Sequence, residues 1–357
     1  EPLSGAQPDV AASAASNGVR HCYRLITKTG RTVVRTAEHP LWWTQKGPAR
    51  RSGGRNIIEV RPGQWKPLEA IRSGDLVAAP VALMVRGNNP RSDEEIKLLG
   101  YLLGDGGTTQ GVTFTQRPGR TLEEFLHLVA HFGCEIKRID DINYRVTGPS
   151  SRHGPGSNPI LNLLKTWGTH GKRSKEKSFP AFVWELPDRQ IALLLNRLFA
   201  CDGWATVSQK IKQGHVGITL ASERMIRDVE LACLRLGIRG FVKHKKASTG
   251  DKLFDAWTWR TGKRSALERF ARVVGIHGKE EALATALQIG QDQPKIVKRP
   301  DWDTRNAPPG FFWDIVESIE YVGEAPTVAI SVPGLNAYTT TLAEHNTYSA
   351  AAIAEWW

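Results

Sequence analysis

Two features are scarce in this sequence: paired cysteines and long apolar runs. No run approaches the roughly 18 apolar residues that a membrane helix needs, and the first residues lack the basic and apolar segments of a secretory signal peptide. No CxxC pair occurs, so neither a disulfide framework nor a zinc site is expected. These absences favour a soluble cytoplasmic protein with reduced, mostly buried thiols. The four cysteines are Cys22, Cys134, Cys201 and Cys233.

Acidic residues are also in deficit. The chain has 48 Lys and Arg against 36 Asp and Glu, a formal net charge of +12 and a pI near 9.6. A basic excess favours a polyanionic partner, because neutralising phosphates releases their counterions. A soluble basic surface explains the charge equally well, so charge alone leaves nucleic acid binding open. At 357 residues, the chain is long enough for two or three domains.

Hydrophobic periodicity indicates a β-like region interrupted by an α/β region. Residues 20–44 and 57–81 carry β-branched residues in near alternation, and strand character returns from 310. Between these regions, from 93 to 280, segments follow one another in the order helix, strand, helix, strands, and this order occurs twice. Residues 281–308 are polar and contain proline, which is typical of a linker.

Two almost wholly apolar helical segments end in Asp-Gly pairs, Asp105-Gly106 and Asp202-Gly203. A carboxylate at this end of a helix faces the negative end of the helix dipole, which is unfavourable. A single Asp-Gly is often only a helix-stopping turn, but an unfavourable choice repeated at matching places in a duplication indicates a role. Two such helices side by side would bring the carboxylates together, where they could hold divalent metal ions for phosphodiester hydrolysis.

The sequences LLGYLLGDGG and LLNRLFACDG, which contain these aspartates, resemble the paired motifs of LAGLIDADG homing endonucleases. Similarity to the intein-borne form of that family covers most of 93–275. The resemblance implies a pseudo-twofold αββαββα repeat whose sheets lie as a saddle in the major groove of double-stranded DNA. It also implies that Asp105 and Asp202 are catalytic acids that bind Mg²⁺ (or Mn²⁺).

The second motif departs from the family pattern at Arg197, which stands where a glycine usually allows close approach of the two helices. This departure questions the tightness of the helix contact. It leaves open a degenerate nuclease that only binds DNA or stabilises the fold. The family also uses basic side chains near its catalytic acids, and the candidates for that role here are Lys137, Lys246 and Lys252.

A second set of motifs fits the chemistry of protein splicing. Thr36 and His39 form a Thr-x-x-His pair at the end of a predicted strand, and His345-Asn346-Thr347 lies near the C-terminus. An Asn side chain can attack its own carbonyl, a preceding His can polarise that carbonyl, and a Thr hydroxyl can accept an acyl group. Thr36 and His39 would polarise the other scissile bond. In isolation, His39 is more simply a structural histidine.

The flanks of these motifs favour splicing. GRTVVRTAEHP resembles intein block B, and TVAISVPGLNAYTTTLAEHNT resembles blocks F and G. The resemblance implies an all-β Hint (horseshoe) splicing domain split by the endonuclease, in a multidomain chain expected to be a monomer. The implied order is an N-terminal Hint part, the endonuclease, a linker, a C-terminal Hint part and host residues, at 1–91, 92–280, 281–308, 309–346 and 347–357.

Two departures from ordinary inteins indicate that splicing is blocked. Block A and its Cys or Ser nucleophile are not found among the first residues, and the block F position holds Ala329. Class 3 inteins also lack the first nucleophile; they use a block F Cys with a block B Trp and a Thr after the Asn. Trp42 (or Trp43) and Thr347 match two of these three markers. Ala329 is therefore interpreted as a deliberate replacement of cysteine, with natural loss as the alternative.

The last residues, TYSAAAIAEWW, resemble the helix that follows the lysine of a P-loop. The implied host is a P-loop ATPase of a bacterium or phage, a helicase or a terminase, and the implied DNA target is an intein-free copy of its gene. No cofactor is expected for splicing, and no membrane association for the chain. A free-standing endonuclease or transcription regulator is the remaining alternative, and it does not explain His345-Asn346-Thr347.

Overall fold

The chain divides into two compact units. The split unit consists of residues 1–85 and 293–357, and the central unit of residues 86–292. Among the helices of the described ranges, none has both the length and the apolar character required to cross a membrane. The computed structural model describes residues 13–52, 55–151, 154–155, 157–210, 212–249, 252–289, 304–331, 337–345 and 352–353.

The α-helices of the described ranges all lie in the central unit, whereas strands occur in both units. The helices are α1 (Asp93–Gly104), α2 (Arg120–His131), α3 (Pro159–Thr166), α4 (Asp188–Asp202), α5 (Glu223–Arg235), α6 (Arg264–Val273) and α7 (Glu280–Gln288). The strands before the central unit are β1 (Ser13–Thr27), β2 (Thr32–Thr36), β3 (Pro40–Thr44), β4 (Lys46–Ser52), β5 (Arg55–Val60), β6 (Gln64–Pro67) and β7 (Leu76–Pro80). Those within it are β8 (Gly106–Gly107), β9 (Val112–Thr115), β10 (Glu135–Arg138), β11 (Asn143–Thr147), β12 (Ser150–Ser151), β13 (Gly154–Pro155), β14 (Gly203–Ser208), β15 (Gln213–Leu220), β16 (Phe241–Thr249) and β17 (Lys252–Thr261). Those after it are β18 (Phe311–Ser331), β19 (Ala337–Thr339), β20 (Ala343–His345) and β21 (Ala352–Ile353).

The main sheet of the split unit combines strands from both sides of the central unit. Its order is β19-β20-β3-β7-β18-β1-β2. The first part of the long strand β18, residues 311–315, pairs with β7, and residues 316–331 pair with β1. The two distant parts of the sequence therefore share one hydrogen-bonded sheet, and they pack into the same hydrophobic clusters.

The central unit contains the αββαββα order twice, as the family resemblance implied. The first copy is α1-β8-β9-α2-β10-β11-α3, and the second is α4-β14-β15-α5-β16-β17-α6. The two sheets also have the same strand order, β10-β11-β9-β8 in one and β16-β17-β15-β14 in the other. The motif helices α1 and α4 begin the two copies, so equivalent residues of the repeat end up on these two helices.

The motif helices are apolar on most faces because they are buried in one common core. The side chain of Ser92 caps α1 by accepting a hydrogen bond from the Glu95 amide, at 3.2 Å. The buried positions of α1 are Ile96, Leu98, Leu99, Gly100, Tyr101, Leu102 and Leu103, and those of α4 include Ile191, Leu194, Leu195, Leu198 and Phe199. A helix that is apolar on most of its faces belongs in a core between other elements, and burial of this surface fixes the two helix ends.

Arg197 called the tightness of the contact between α1 and α4 into question, and in the structure this contact is close. A Cβ added at Gly100 would lie 2.8 Å from the Arg197 Cβ, and one added at Gly104 would lie 2.5 Å from the Cys201 Cβ. The glycines of α1 therefore provide the space that both helices need. The Arg197 guanidinium turns away to Glu124, with Nε–Oε2 and Nη2–Oε1 distances of 2.7 and 2.8 Å.

Helix α7 corrects the linker predicted from residue 281. Its residues 280–288 are helical, and Leu283 and Ala286, one turn apart, are buried. A Cβ added at Gly214 of β15 would lie 1.9 Å from the Ala286 carbonyl oxygen, so the helix lies directly against that strand. The short apolar pattern of α7 was hidden in the sequence by the polar, proline-containing segment that follows it.

Candidate functional site

The two predicted acids lie at equivalent helix ends in the central unit. Asp105 directly follows the last residue of α1 and caps its C-terminal end, and Asp202 is the last residue of α4. A Cβ built on Gly104, the neighbour of Asp105, would be 3.5 Å from Oδ2 of Asp202. The structure therefore brings the two carboxylates to one place, through the close contact of the two helices.

Burial raises the pKa of both carboxylates, so each binds a proton more readily than a free carboxylate does. Burial, and then the like charge of Asp105, raise the pKa of Asp202 to about 6, while Lys177 and Lys279 act in the opposite direction. Burial also raises the pKa of Asp105, against a hydrogen bond from the Cys201 thiol and the charges of the same lysines. Two carboxylates in such a site favour a bound proton or cation.

Lys177 and Lys279 hold the ends of the motif helices in equivalent ways. The Lys177 ammonium donates to carbonyl oxygens of the last turn of α1 and of the residue two positions beyond it. These oxygens belong to Leu102, Leu103, Gly104 and Gly106, at 3.0, 2.9, 3.1 and 2.7 Å. The Lys279 ammonium donates to those at the end of α4, which belong to Phe199, Cys201 and Gly203, at 3.3, 3.1 and 2.6 Å. A cation at the negative end of each helix dipole offsets the unfavourable position of the neighbouring aspartate.

Sequence reasoning missed these two lysines and named three others. Lys137 lies on β10 and Lys246 on β16, the strands at the far edges of the two sheets from β8 and β14, which follow the aspartates. Lys246 pairs instead with Asp255, at 2.6 Å, and Lys252 begins β17. The topology therefore keeps Lys137 and Lys246 at the edges away from the paired carboxylates.

A duplicated pentapeptide marks the two regions that contain these lysines, although its first copy ends at Lys172 and not at Lys177. The sequence reads GTHGK at 168–172 and GIHGK at 275–279, after the third helix of each copy. Both copies hold their glycines in the left-handed region, with φ of +68° and +81° in the first and +68° and +75° in the second. Lys279 is the last residue of the second copy, and Lys177 follows the first copy by one short turn.

The two acid sites differ in their polar neighbours. The Gln116 amide, directly after β9, donates to Oδ2 of Asp105 at 3.0 Å. Counted from the equivalent strand pairs Gly106–Phe114 and Gly203–Ile218, the matching position on β15 is Leu220, which has no side-chain amide. Within the described ranges, no group of three or more His, Cys, Asp or Glu side chains is arranged to hold a metal ion. A cation here would therefore need ligands besides the carboxylates of this chain.

The predicted splicing residues of the split unit lie on neighbouring strands. Thr36 ends β2, His39 lies in the turn before β3, and Trp42 is on β3. Strand β20, which contains His345, pairs with β3. Trp42 packs edge-on against Trp65, and Trp65 packs edge-on against His345, with ring centroids 4.9 Å apart in each case.

Other predicted members of this set lie elsewhere. Asn346 and Thr347 are outside the described residues. Ala329 lies on β18 opposite Ala15 of β1, whereas Thr36 pairs with Cys22 further along β1. Trp43 points to the opposite face of β3 from Trp42, where its indole donates to Asp75 at 2.7 Å. Trp42 is therefore the tryptophan that faces the predicted site.

Four of the predicted splicing residues have a buried side-chain nitrogen or oxygen with no hydrogen-bond partner among the described residues. These atoms are Thr36 Oγ1, His39 Nδ1, Trp42 Nε1 and His345 Nδ1, and a few buried atoms elsewhere, such as Trp259 Nε1, are in the same state. A buried polar atom without a partner costs free energy, so each one needs an explanation. A reacting peptide segment that occupies this place would supply partners.

Glu344 is a member of this region that sequence reasoning missed. It is fully buried, and its carboxylate accepts hydrogen bonds from the Arg35 guanidinium and from Nε2 of His39, the latter at 3.0 Å. Burial alone would raise the pKa of Glu344, but Arg35 and His39 outweigh it and lower the pKa to about 2. Its only sequence signal is a charged residue directly after two apolar residues, Leu342 and Ala343.

Comparison with known proteins gives a family-model match that lies inside the central unit. Residues 189–284, which begin in α4 and end in α7, match the family model described as a LAGLIDADG-like domain. This part of the central unit is a LAGLIDADG-like domain. The solved homing endonuclease I-WcaI, bound to its DNA recognition sequence, aligns with 56% of this chain and 88% of its own, at 13% identity and a TM-score of 0.33.

The chain also aligns with relatives that are longer proteins with different names. The replicative DNA helicase DnaB of Synechocystis sp. is 30% identical over 80% of this chain and 32% of its own length. The protein RecA of Mycobacterium tuberculosis is 29% identical over 50% of this chain and 23% of its own length. The chain thus spans a third or less of the curated relatives it matches.

Proposed function

We propose that this chain is a protein-splicing element whose LAGLIDADG-like domain cuts double-stranded DNA. The observation that carries the nuclease proposal is the pair of carboxylates at the ends of two equivalent helices, one with its pKa raised to about 6. Such a pair supports metal-dependent hydrolysis of a phosphodiester. The net charge of +12 supports a polyanionic substrate.

The carboxylates fit Mg²⁺ better than a metal that requires a closed protein cage. Mg²⁺ binds through one or two carboxylates, several waters and substrate phosphates, and Asp105 and Asp202 would supply the carboxylates. When bound, the metal would activate water and neutralise the leaving oxygen. Lys177 and Lys279 are already bonded to carbonyl oxygens of the helix ends. Their proposed role is therefore to hold the acids in place.

The splicing proposal rests on the relatives as well as on the unpartnered polar atoms. The matched segment occupies a third or less of a helicase and of a RecA protein, and proteins with such different names have no reason to share it for their own activity. A segment that inserts into separate hosts explains the pattern. The proposed host of this chain is a replicative helicase, joined at Asn346 and Thr347, with Ala329 in place of the attacking cysteine.

Cleavage of duplex DNA tests the nuclease. The substrate spans the uninterrupted helicase gene at the insertion codon, and it should be cut in the presence of Mg²⁺ or Mn²⁺. Asp105→Asn and Asp202→Asn should each reduce cleavage by about 100-fold or more, because removing even the outer partners of metal ligands costs 10- to 100-fold. Asp141→Asn is the control, since its fully exposed carboxylate only pairs with Arg138.

Two outcomes would contradict this proposal. No binding to the duplex at moderate salt would remove DNA as the partner. Binding without cleavage under either metal would instead select a degenerate domain that only binds DNA.

Splicing is tested by restoring the cysteine. Ala329→Cys in a full precursor, with its block A region and both host flanks, should yield ligated flanks detectable by mass. Adding Asn346→Ala should prevent release at the C-terminal junction. If Ala329→Cys gives no ligated product while a cysteine at the N-terminal junction does, the class 3 assignment is wrong.

A further inference from the structure

Four groups in the split unit form a buried network around one carboxylate. Glu344 accepts from Arg35 Nη2 at 2.8 Å and from His39 Nε2 at 3.0 Å. Arg35 Nε and the hydroxyls of Thr340 and Tyr338 also donate to it, the last at 3.4 Å. Both His39 and Glu344 are fully buried. A carboxylate with this many donors is fixed in position, and it fixes in turn the imidazole that contacts it.

We infer that Glu344 is a positioning residue for His39, one that holds the imidazole with its proton on Nε2 and its Nδ1 free for the reacting peptide. The inference rests on the splicing function proposed above. Nε2 faces an acceptor-only carboxylate, so it is the nitrogen that donates. Nδ1 is buried and has no partner among the described residues, so it is the nitrogen left for chemistry.

The arrangement matches what an acyl transfer at the N-terminal junction requires. A thiol attacks the scissile carbonyl, an S–C bond forms and the C–N bond breaks. The proton lost by the thiol ends on the leaving nitrogen. His39 Nδ1 can accept that proton and then deliver it, and the Glu344 carboxylate stabilises the imidazolium that exists between the two transfers. A carboxylate that orients a histidine in this way is the logic of a catalytic triad.

The position of Glu344 also connects the two junctions. Successive side chains of a strand point to opposite faces, and on β20 Glu344 contacts His39 while His345 contacts Trp65. Strand β20 therefore contains one histidine of the proposed site, His345, and contacts the other, His39. A change at Glu344 is expected to act first on His39 and the N-terminal junction, because it touches that side chain directly.

The tautomer of His39 tests the inference on the chain as it stands. A long-range ¹H–¹⁵N spectrum of ¹⁵N-histidine-labelled protein, assigned through the signal lost in His39→Gln, should show a proton on Nε2 and a bare Nδ1. Asp75→Asn is the matched control, because Asp75 is also a buried carboxylate that accepts from a ring N–H, that of Trp43. It should leave the His39 signal unchanged. A neutral His39 with its proton on Nδ1 would overturn the inference.

A second arm measures reaction at the N-terminal junction in the Ala329→Cys precursor. Glu344→Gln should slow thiol-induced cleavage there by about 10- to 100-fold, the range for removing the partner that orients a functional histidine. Glu344→Asp should recover part of the rate, and Asp75→Asn should leave it unchanged. An equal rate in folded Glu344→Gln would overturn the inference. If the precursor with Glu344 intact does not cleave, the splicing function fails, and the His39 spectrum still decides the geometry.

Discussion

Each unit buries carboxylates at its proposed site, and the two units balance the negative charge of these carboxylates in opposite ways. In the central unit, Asp105 and Asp202 lie together, and burial and repulsion raise the pKa of Asp202 to about 6. In the split unit, Glu344 lies between Arg35 and His39, and its pKa falls to about 2. The first arrangement favours an external cation. The second is already neutralised by the chain, so it can orient a neighbour but does not favour a metal ion.

The same contrast extends to the positive partners. Lys177 and Lys279 donate to backbone carbonyls at the helix ends and act on the aspartates only through space. Arg35 bonds its carboxylate directly. An indirect charge reduces repulsion without the lysine itself occupying a carboxylate oxygen. Two buried acidic groups can thus serve different purposes, and the position of the nearest cation separates them.

The largest expected effect comes from removing a carboxylate of each kind in metal-free protein. Glu344→Ala leaves Arg35 buried without its partner, and breaking a buried ion pair from one side costs about 3–5 kcal/mol. Asp202→Asn removes a repulsive charge and should leave the stability of the central unit unchanged or higher. Hydrogen–deuterium exchange read on peptides of β3 and β20, and separately of α1 and α4, measures the two units apart.

Equal destabilisation by the two substitutions would remove the contrast. So would faster exchange in α1 and α4 after Asp202→Asn, because the carboxylate would then be part of a stabilising pair. Asp141→Asn changes an exposed carboxylate. It therefore shows how large a change in exchange a substitution outside both buried sites produces.

The contrast also separates what the sequence could and could not predict. Asp105 and Asp202 could be predicted because helical periodicity, the Asp-Gly helix ends and the repeated order of elements can be read from the sequence itself. Lys177 and Lys279 were not, since their partners are carbonyls at the ends of helices far away in sequence. Glu344 was missed for the same reason: a buried carboxylate is stable only with its partners, and Arg35 comes from a strand at the other end of the chain.

Arg197 shows why a motif departure can mislead. A family pattern compares one position at a time, whereas space between helices is shared by both of them. Gly100 faces Arg197 across the contact, and Glu124 neutralises the guanidinium. The information needed to predict a close contact lay outside the second motif, in Gly100 of the first motif on α1 and in Glu124 on α2.

The smallest effect expected is a difference in pH dependence. Asp202 has a folded pKa of about 6 against an ordinary 3.8. Its protonated form is favoured by folding, so its contribution to stability is fully present below about pH 3.8 and is lost as pH rises through 6. Glu344 has a folded pKa of about 2 against 4.5. Its contribution is present above pH 4.5 and is lost as pH falls toward 2.

Lowering the pH from 7 to about 4.5 should therefore stabilise the metal-free central unit and leave the Glu344 contribution unchanged. Asp228 is raised to about 6 as well, so the quantity to measure is the difference between the unmodified protein and Asp202→Asn in the exchange of α1 and α4 across this range. Mg²⁺ should reduce that difference above pH 6, because it replaces the proton as the counter-charge. The same pH profile in Asp202→Asn as in the unmodified protein would mean that the paired carboxylates carry no excess charge, and the proposed metal site would lose its electrostatic basis.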